Sequence, residues 1–113
     1  MTYYEAFHYC LHEHNSKLAE PSIFLKQILL VGLIEEFEWV LSSFWIGATD
    51  LSNEGHYEWE SKVDMDFMDF GGGKPDGSNS ENCLGLSSSI QWKWDDFPCQ
   101  EAALIPICEA NYR

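Results

Sequence analysis

Asp76, Glu81, Asp95 and Asp96 lie around a cysteine pair, Cys83 and Cys99, near the C-terminal end of the chain. The stretch runs Lys74-Pro75-Asp76-Gly77-Ser78-Asn79-Ser80-Glu81-Asn82-Cys83, then Trp94-Asp95-Asp96-Phe97-Pro98-Cys99. Side-chain oxygens at that density, with no nearby histidine or reactive thiol, suit a hard cation such as calcium. A cation held there can offer open coordination positions to a hydroxylated ligand.

The surrounding composition fits that chemistry. The chain has 113 residues and a formal charge of -13, from 19 acidic and 6 basic residues. That length predicts one domain, 1–113. The charge excludes nucleic acid as a partner, because phosphates demand a basic surface. It also argues against insertion into, or binding to, an anionic membrane. Thirteen of the acids fall between Asp50 and Glu109. Carboxylates gathered this way repel one another, so a bound cation relieves a cost.

Cys10, Cys83, Cys99 and Cys108 make an even count with no Cys-x-x-Cys pair. Structural zinc is therefore disfavoured, and two disulfides in an oxidising compartment are expected. Spacing leaves three connectivities open. Residues 1–10 contain no apolar run of signal-peptide length. Disulfides without a leader predict a chain that is N-terminally truncated. The longest apolar run, Ile23 to Ile34, spans 12 residues and includes Lys26 and Gln27. It is too short to cross a bilayer and reads as a core helix.

The elements that must position the acids follow from periodicity and punctuation. Thr2 caps a helix whose apolar face is Tyr3, Phe7 and Cys10, ended by Asn15-Ser16. Leu18-Ala19 reads as a short extended piece. Pro21 suits the first turn of a second helix through Phe24, Leu25, Ile28 and Leu29, fading near Gly32. Phe44–Gly47 and Tyr57–Trp59 read as strands, the second after a turn at Asn53-Glu54-Gly55. Cys83–Leu86, Gln91–Trp94 and Leu104–Cys108 read as the last three. From Asp64 to Asn82 the chain is turn residues, acids and three consecutive glycines, a length that in a compact domain is usually functional or disordered. The long loop of about 64–96 is expected to be the working face.

With these pieces in place the chain resembles the C-type lectin-like domain family over nearly its whole length. The resemblance rests on the helix ending in Cys10, Leu18-Ala19-Glu20-Pro21, Phe44-Trp45-Ile46-Gly47 and Asp50 with Glu54-Gly55. It extends through Trp59, Lys74-Pro75-Asp76, Glu81-Asn82-Cys83, Trp94-Asp95-Asp96 and Ile107-Cys108-Glu109. The loop spelling is closest to tetranectin-like members. The resemblance implies an α+β fold with two helices, small antiparallel sheets, a long calcium-binding loop and two disulfides, Cys10–Cys108 and Cys83–Cys99. It also implies a strand before the first helix. That strand is absent here, which predicts an exposed edge beside residues 104–108.

The same resemblance implies calcium as cofactor and a calcium-dependent carbohydrate-binding (lectin) function. The primary calcium site maps onto Asp76, Glu81, Asp95 and Asp96, with the Asp96 carbonyl as a further oxygen. An auxiliary calcium site maps onto Asp50, Glu54, Asn82, Glu81 and the Gly77 carbonyl. The carbohydrate-binding set is Lys74, Asp76, Glu81 and Asp95, and the resemblance implies a cis bond before Pro75 when calcium is bound. One position departs from the family pattern. Where an acceptor side chain normally precedes Pro75, Lys74 carries an ammonium with no acceptor. Asp95 stands where the family has Asn, so the set still sums to minus three, and a direct Lys74–Asp95 pair is expected. Lys74 followed by Asp76 keeps the donor-then-acceptor order of galactose-type members, which leans the ligand that way. Trp92 and Phe97 are candidates for stacking on a sugar ring, although large rings are more often core.

Two rival classes are weighed. Paired carboxylates serve glycoside hydrolysis only across a substrate cleft with divergent environments. A loop cluster in so small a domain fits metal binding better, so no enzyme is expected. His8 and His12 share a helix face at i, i+4, with His14 just beyond, and solvated histidines are the commoner case. The alternative function is a calcium-independent protein-interaction module on the same fold, with Lys74 closing the primary calcium site. The expected partners are a glycan or glycoprotein, with a protein as the alternative. The expected location is extracellular, secreted or on a surface protein's ectodomain, in recognition or innate-immune defence.

Overall fold

A computed structural model describes residues 1–36, 43–75 and 81–110. Among these residues two α-helices and seven short strands follow the order α1, β1, α2, β2 to β7. Helix α1 is Tyr3–His14. The Thr2 hydroxyl accepts from the Glu5 amide at 3.2 Å, and Glu5 Oε1 accepts from the Thr2 amide at 2.8 Å. This reciprocal cap satisfies two amides that the helix itself leaves open. Asn15 ends the helix in the left-handed region, with φ 49°. The inward face is Tyr3, Ala6 and Cys10, while Phe7, expected there, is only half-buried.

Strand β1, Ser16–Leu18, pairs antiparallel with β7, Cys108–Ala110, with Leu18 opposite Cys108. The main sheet runs β3-β2-β4-β5, that is Glu58–Trp59, Phe44–Thr49, Cys83–Ser87 and Lys93–Phe97. Strand β6, Ile105–Pro106, joins it parallel to β2. The single strand expected over Leu104–Cys108 is thus two. Pro106 has no N–H to continue a ladder, and the chain passes there from one sheet to the other.

Strand β5 begins two residues later than the expected Gln91. Gln91 and Trp92 have φ of 61° and 66°, so they belong to the turn after the short 3-10 helix Ser88–Ile90. Asp95 and Asp96 therefore sit on a strand, and the expected 64–96 loop is interrupted by β4 and β5. Both disulfides expected from the resemblance are present, Cys10–Cys108 and Cys83–Cys99. The first joins α1 to β7, and the second joins the start of β4 to the turn after β5.

Two apolar clusters form the core. One gathers Phe44, Ile46, Trp59, Leu84, Leu86 and Trp94 between the sheet and α2. The other packs Tyr3, Ala6 and Leu18 against Trp45 and both disulfides. Trp59 and Trp94 meet edge to face at 5.2 Å, a favoured arrangement for ring quadrupoles.

Helix α2, Phe24–Glu36, departs most from expectation. It starts three residues after Pro21 and continues past Gly32. It is core on one side only: Ile34 belongs to the main cluster and Leu30 and Val31 pack on it, while Gln27 and Ile34 alone on the helix are buried. Gln27 Nε2 donates to the Trp92 carbonyl at 3.1 Å, and its Oε1 accepts from Trp94 Nε1 at 3.0 Å. A polar residue thus anchors the helix, while Leu25, Ile28, Leu29 and Leu33 face water.

Candidate functional site

The site is built where β2 ends. Asp50 follows that strand and is 2% exposed. Its amide donates to the Asn82 carbonyl at 3.0 Å, tying the end of β2 to the residue before Cys83. Asp50 Oδ2 accepts from the Gly55 amide at 2.8 Å, which closes the Asn53–His56 turn around it. Gly55 adopts φ 84°, where a side chain would be strained. The turn holds Glu54 beside Asp50. Asp50 Oδ1 is buried without a hydrogen-bond partner among the described residues. A lone carboxylate oxygen with no donor is an uncommon and costly feature of an interior.

Strand β5 supplies the other side. Asp96 pairs with Leu84 across the ladder and is 2% exposed. Partial loss of solvent and then the Asp50 and Asp96 carboxylates push the Glu54 carboxyl above its ordinary pKa. Tyr57, buried just before β3, donates its hydroxyl to the Glu81 carbonyl at 3.1 Å. Burial first, then Asp50, Asp96, Glu54 and Glu81, raise the pKa of that hydroxyl. Four expected site carboxylates therefore act electrostatically on one phenol. Nothing in the sequence analysis assigned Tyr57 this place. The only signal was its alternation with Trp59, which puts both on the inner side of one strand.

Lys74 and Asp95 form a second centre. Lys74 Nζ lies 3.4 Å from Asp95 Oδ1, with side chains 25% and 14% exposed. The direct pair expected between them is present. Burial raises the pKa of the Asp95 carboxyl, Lys74 opposes this, and the neighbouring Asp96 adds to it. Asp96 thus links the two centres. The Lys74–Pro75 bond is cis. Asp76 and Gly77, expected as ligands, lie outside the described residues.

The donor set of Asp50, Glu54, Glu81, Asn82 and Asp96 is all oxygen and mostly anionic, which suits a hard divalent cation. Among the described residues, no three His, Cys, Asp or Glu side chains form a ready metal-holding group. His8 and His12 stack at 5.4 Å on the exposed side of α1. Neither candidate ring offers an open sugar platform: Trp92 is buried against Phe44, and Phe97 is half-buried against Trp45.

Beside the site, a cleft of about 600 Å³ is lined by Tyr57, Met65, Met68, Phe70 and Pro75, among others. It lies within the size range of small-ligand sites.

Residues 1–110 match the model of the Lectin C-type domain family. Salivary C-type lectin 2 of Aedes albopictus is 32% identical over 117 residues, covering 96% of this chain and 76% of that protein. Human lithostathine aligns with a TM-score of 0.87 and 25% identity, over 98% of this chain and 85% of that one. The cow C-type carbohydrate-recognition domain of CD23, solved in the presence of a GlcNAc2Man3 oligosaccharide, aligns with a TM-score of 0.80. It is 26% identical over 96% of this chain and 78% of that one. Against two other curated relatives the chain spans about half their length, 44% and 53%. No helix among the described residues is long and apolar enough to cross a membrane.

Proposed function

The chain belongs to the C-type lectin domain family, and from that premise we propose that it binds a glycan or glycoprotein in a calcium-dependent manner. The family is one of binding modules rather than enzymes, and no catalytic role is proposed. The observation that carries the calcium reading is Asp50 Oδ1, buried without a hydrogen-bond partner among the described residues, beside Glu54, whose carboxyl is pushed above its ordinary pKa. A cation at that place satisfies the oxygen and removes the repulsion together.

Asp50, Glu54, Glu81 and Asn82, with the Gly77 carbonyl, are the residues that would hold the auxiliary ion. Asp76, Glu81, Asp95 and Asp96 are those that would hold the primary ion. Bound calcium supplies open coordination positions for vicinal sugar hydroxyls. Lys74, Asp76, Glu81 and Asp95 then donate to or accept from those hydroxyls, and the donor-then-acceptor order around Pro75 favours galactose-type ligands. An extracellular setting is part of the proposal. Both disulfides and a relative named for saliva support it.

One observation favours a second reading. The Lys74–Asp95 pair places an ammonium within the primary carboxylate set. If it excludes the ion there, the domain is a calcium-independent protein-interaction module.

Titrating calcium into EDTA-treated, oxidised protein by calorimetry, in parallel with Asp50→Asn and Asp96→Ala, separates the two. Saturable binding near the millimolar affinity of extracellular modules, weakened in both variants, is expected. A galactose-agarose column that retains the protein with calcium and releases it with EDTA then tests the glycan. No heat up to high calcium would sink the calcium reading.

A further inference from the structure

From its second apolar face we propose that α2 pairs with α2 of a second copy of this chain. An amphipathic helix normally carries one apolar stripe at i, i+3, i+4, i+7 spacing, and that stripe meets the core. Helix α2 carries two. Gln27, Leu30, Val31 and Ile34 form the first; Gln27 and Ile34 are buried, and Leu30 and Val31 pack partly buried on the core. Leu25, Ile28, Leu29 and Leu33, at i, i+3, i+4 and i+8, line the opposite side, where they are 59%, 48%, 59% and 54% exposed. Gly32 lies within it, with nothing within 4 Å of where a Cβ would stand.

Three features point to a second copy as the occupant. The first is symmetry. Leu25 and Leu33 lie four residues to either side of Leu29, so an antiparallel helix crossing at Leu29 sets Leu25 of each copy against Leu33 of the other. A two-fold interface requires such self-complementarity. The second is area. These half-exposed side chains leave about 400 Å² of apolar surface, within the range of the largest patch on a typical monomer. Two such faces together bury about 800 Å², the scale of a weak, reversible pair.

The third is charge. The chain carries -13, yet no acid lies between Ile23 and Ile34. Lys26, the one charged residue there, is held by Glu109 at 3.1 Å. This is a neutral window through which two polyanions approach with least repulsion, whereas an anionic lipid surface would repel the molecule as a whole. No candidate site residue is on α2, so a pair presents two sites, and two linked sites raise avidity without new contacts.

Sedimentation of the oxidised chain tests this with the variant Leu25→Glu/Leu29→Lys. Both positions already face water, Glu followed four residues later by Lys supports a helix, and the net charge stays unchanged. The wild type is expected at twice the chain mass near about 50 µM. The variant is expected as a monomer with an unchanged circular dichroism spectrum, its dimer weakened at least about 100-fold. Leu33→Gln reads the same contact through one neutral change. Raising salt is expected to tighten the wild-type dimer by screening the two like charges. A wild type that stays monomeric, or variants that dimerise as well as it does, would overturn the proposal. So would a monomeric wild type that partitions onto uncharged phosphatidylcholine vesicles, since lipid would then be the occupant.

Discussion

At Lys74 a single side chain sets the balance between a metal and an internal ion pair. Its ammonium sits 3.4 Å from Asp95, and both groups are largely shielded from water. An ammonium offers no lone pair, so the position adds charge of the wrong sign and subtracts a ligand. Lys74→Glu supplies an acceptor and releases Asp95, and calorimetry is expected to show calcium affinity rising by about tenfold or more. An unchanged affinity would mean that Lys74 lies outside the calcium-binding set.

Glu54 gives a second residue-scale prediction, with a definite sign. Its pKa is raised in the folded chain by partial desolvation, Asp50 and Asp96. The folded state therefore keeps this proton to a higher pH than the unfolded state, whose carboxyl titrates at about 4.3. Stability falls as pH rises through that interval, and the penalty is complete above the folded pKa. In EDTA at neutral pH, Glu54→Gln is expected to melt slightly above the wild type. The gap should close as pH falls to about 4, where wild-type Glu54 is neutral too. With saturating calcium the order should reverse, because the variant has lost a ligand. A Tm gap that ignores pH would show that the crowding of Glu54 has no energetic weight.

Among the elements, α2 shows how a polar residue can outrank its apolar neighbours. Gln27 is 3% exposed and fastens α2 to both ends of the Trp92–Trp94 stretch, by bonds of 3.1 and 3.0 Å. Gln27→Leu keeps the volume but strands the Trp94 N–H and the Trp92 carbonyl. A loss of about 2–3 kcal/mol is expected by urea denaturation, the opposite of what a leucine in a core would suggest. No loss would mean that water replaces the amide.

This residue also marks where the sequence stops being readable. Helix α1 was legible because Thr2, Glu5 and Asn15 mark its ends and its apolar face is narrow. Helix α2 is core on one side and exposed on the other, which its sequence does not show, because a run apolar on every side has no phase and only the position of Trp92 and Trp94 decides which face turns inward. Strand β5 was placed early because nothing local requires positive φ at Gln91 and Trp92; the turn forces it. The site divides the same way. Asp50, Glu54, Glu81 and Asp96 were recognisable by type, whereas their joint action on Tyr57 depends on how β2, β3 and β5 lie together.

For the whole molecule, the governing quantity is a charge of -13 with few cations to offset it. All five lysines are in ion pairs: Lys17 with Glu20, Lys26 with Glu109, Lys62 with Glu58, Lys74 with Asp95 and Lys93 with Asp69. Asp50, Glu54, Glu81 and Asp96 all act on the Tyr57 hydroxyl, and Asp50 and Asp96 act on Glu54 as well. Their repulsion adds to that of the whole surface, and mobile salt can screen both. Without calcium, Tm is expected to rise as salt is added, because screening relieves the compact state more than the expanded one. Calcium affinity should move the other way. The field of these carboxylates also concentrates cations near them, and raising salt from about 0.02 M to about 0.2 M shortens its reach from roughly 20 Å to roughly 7 Å. A several-fold loss of calcium affinity is expected over that range, read by calorimetry at each salt concentration. A buried, self-sufficient ion pair network would show neither trend. If affinity and Tm both ignore salt, the carboxylates are balanced within the fold and the calcium proposal loses its driving force.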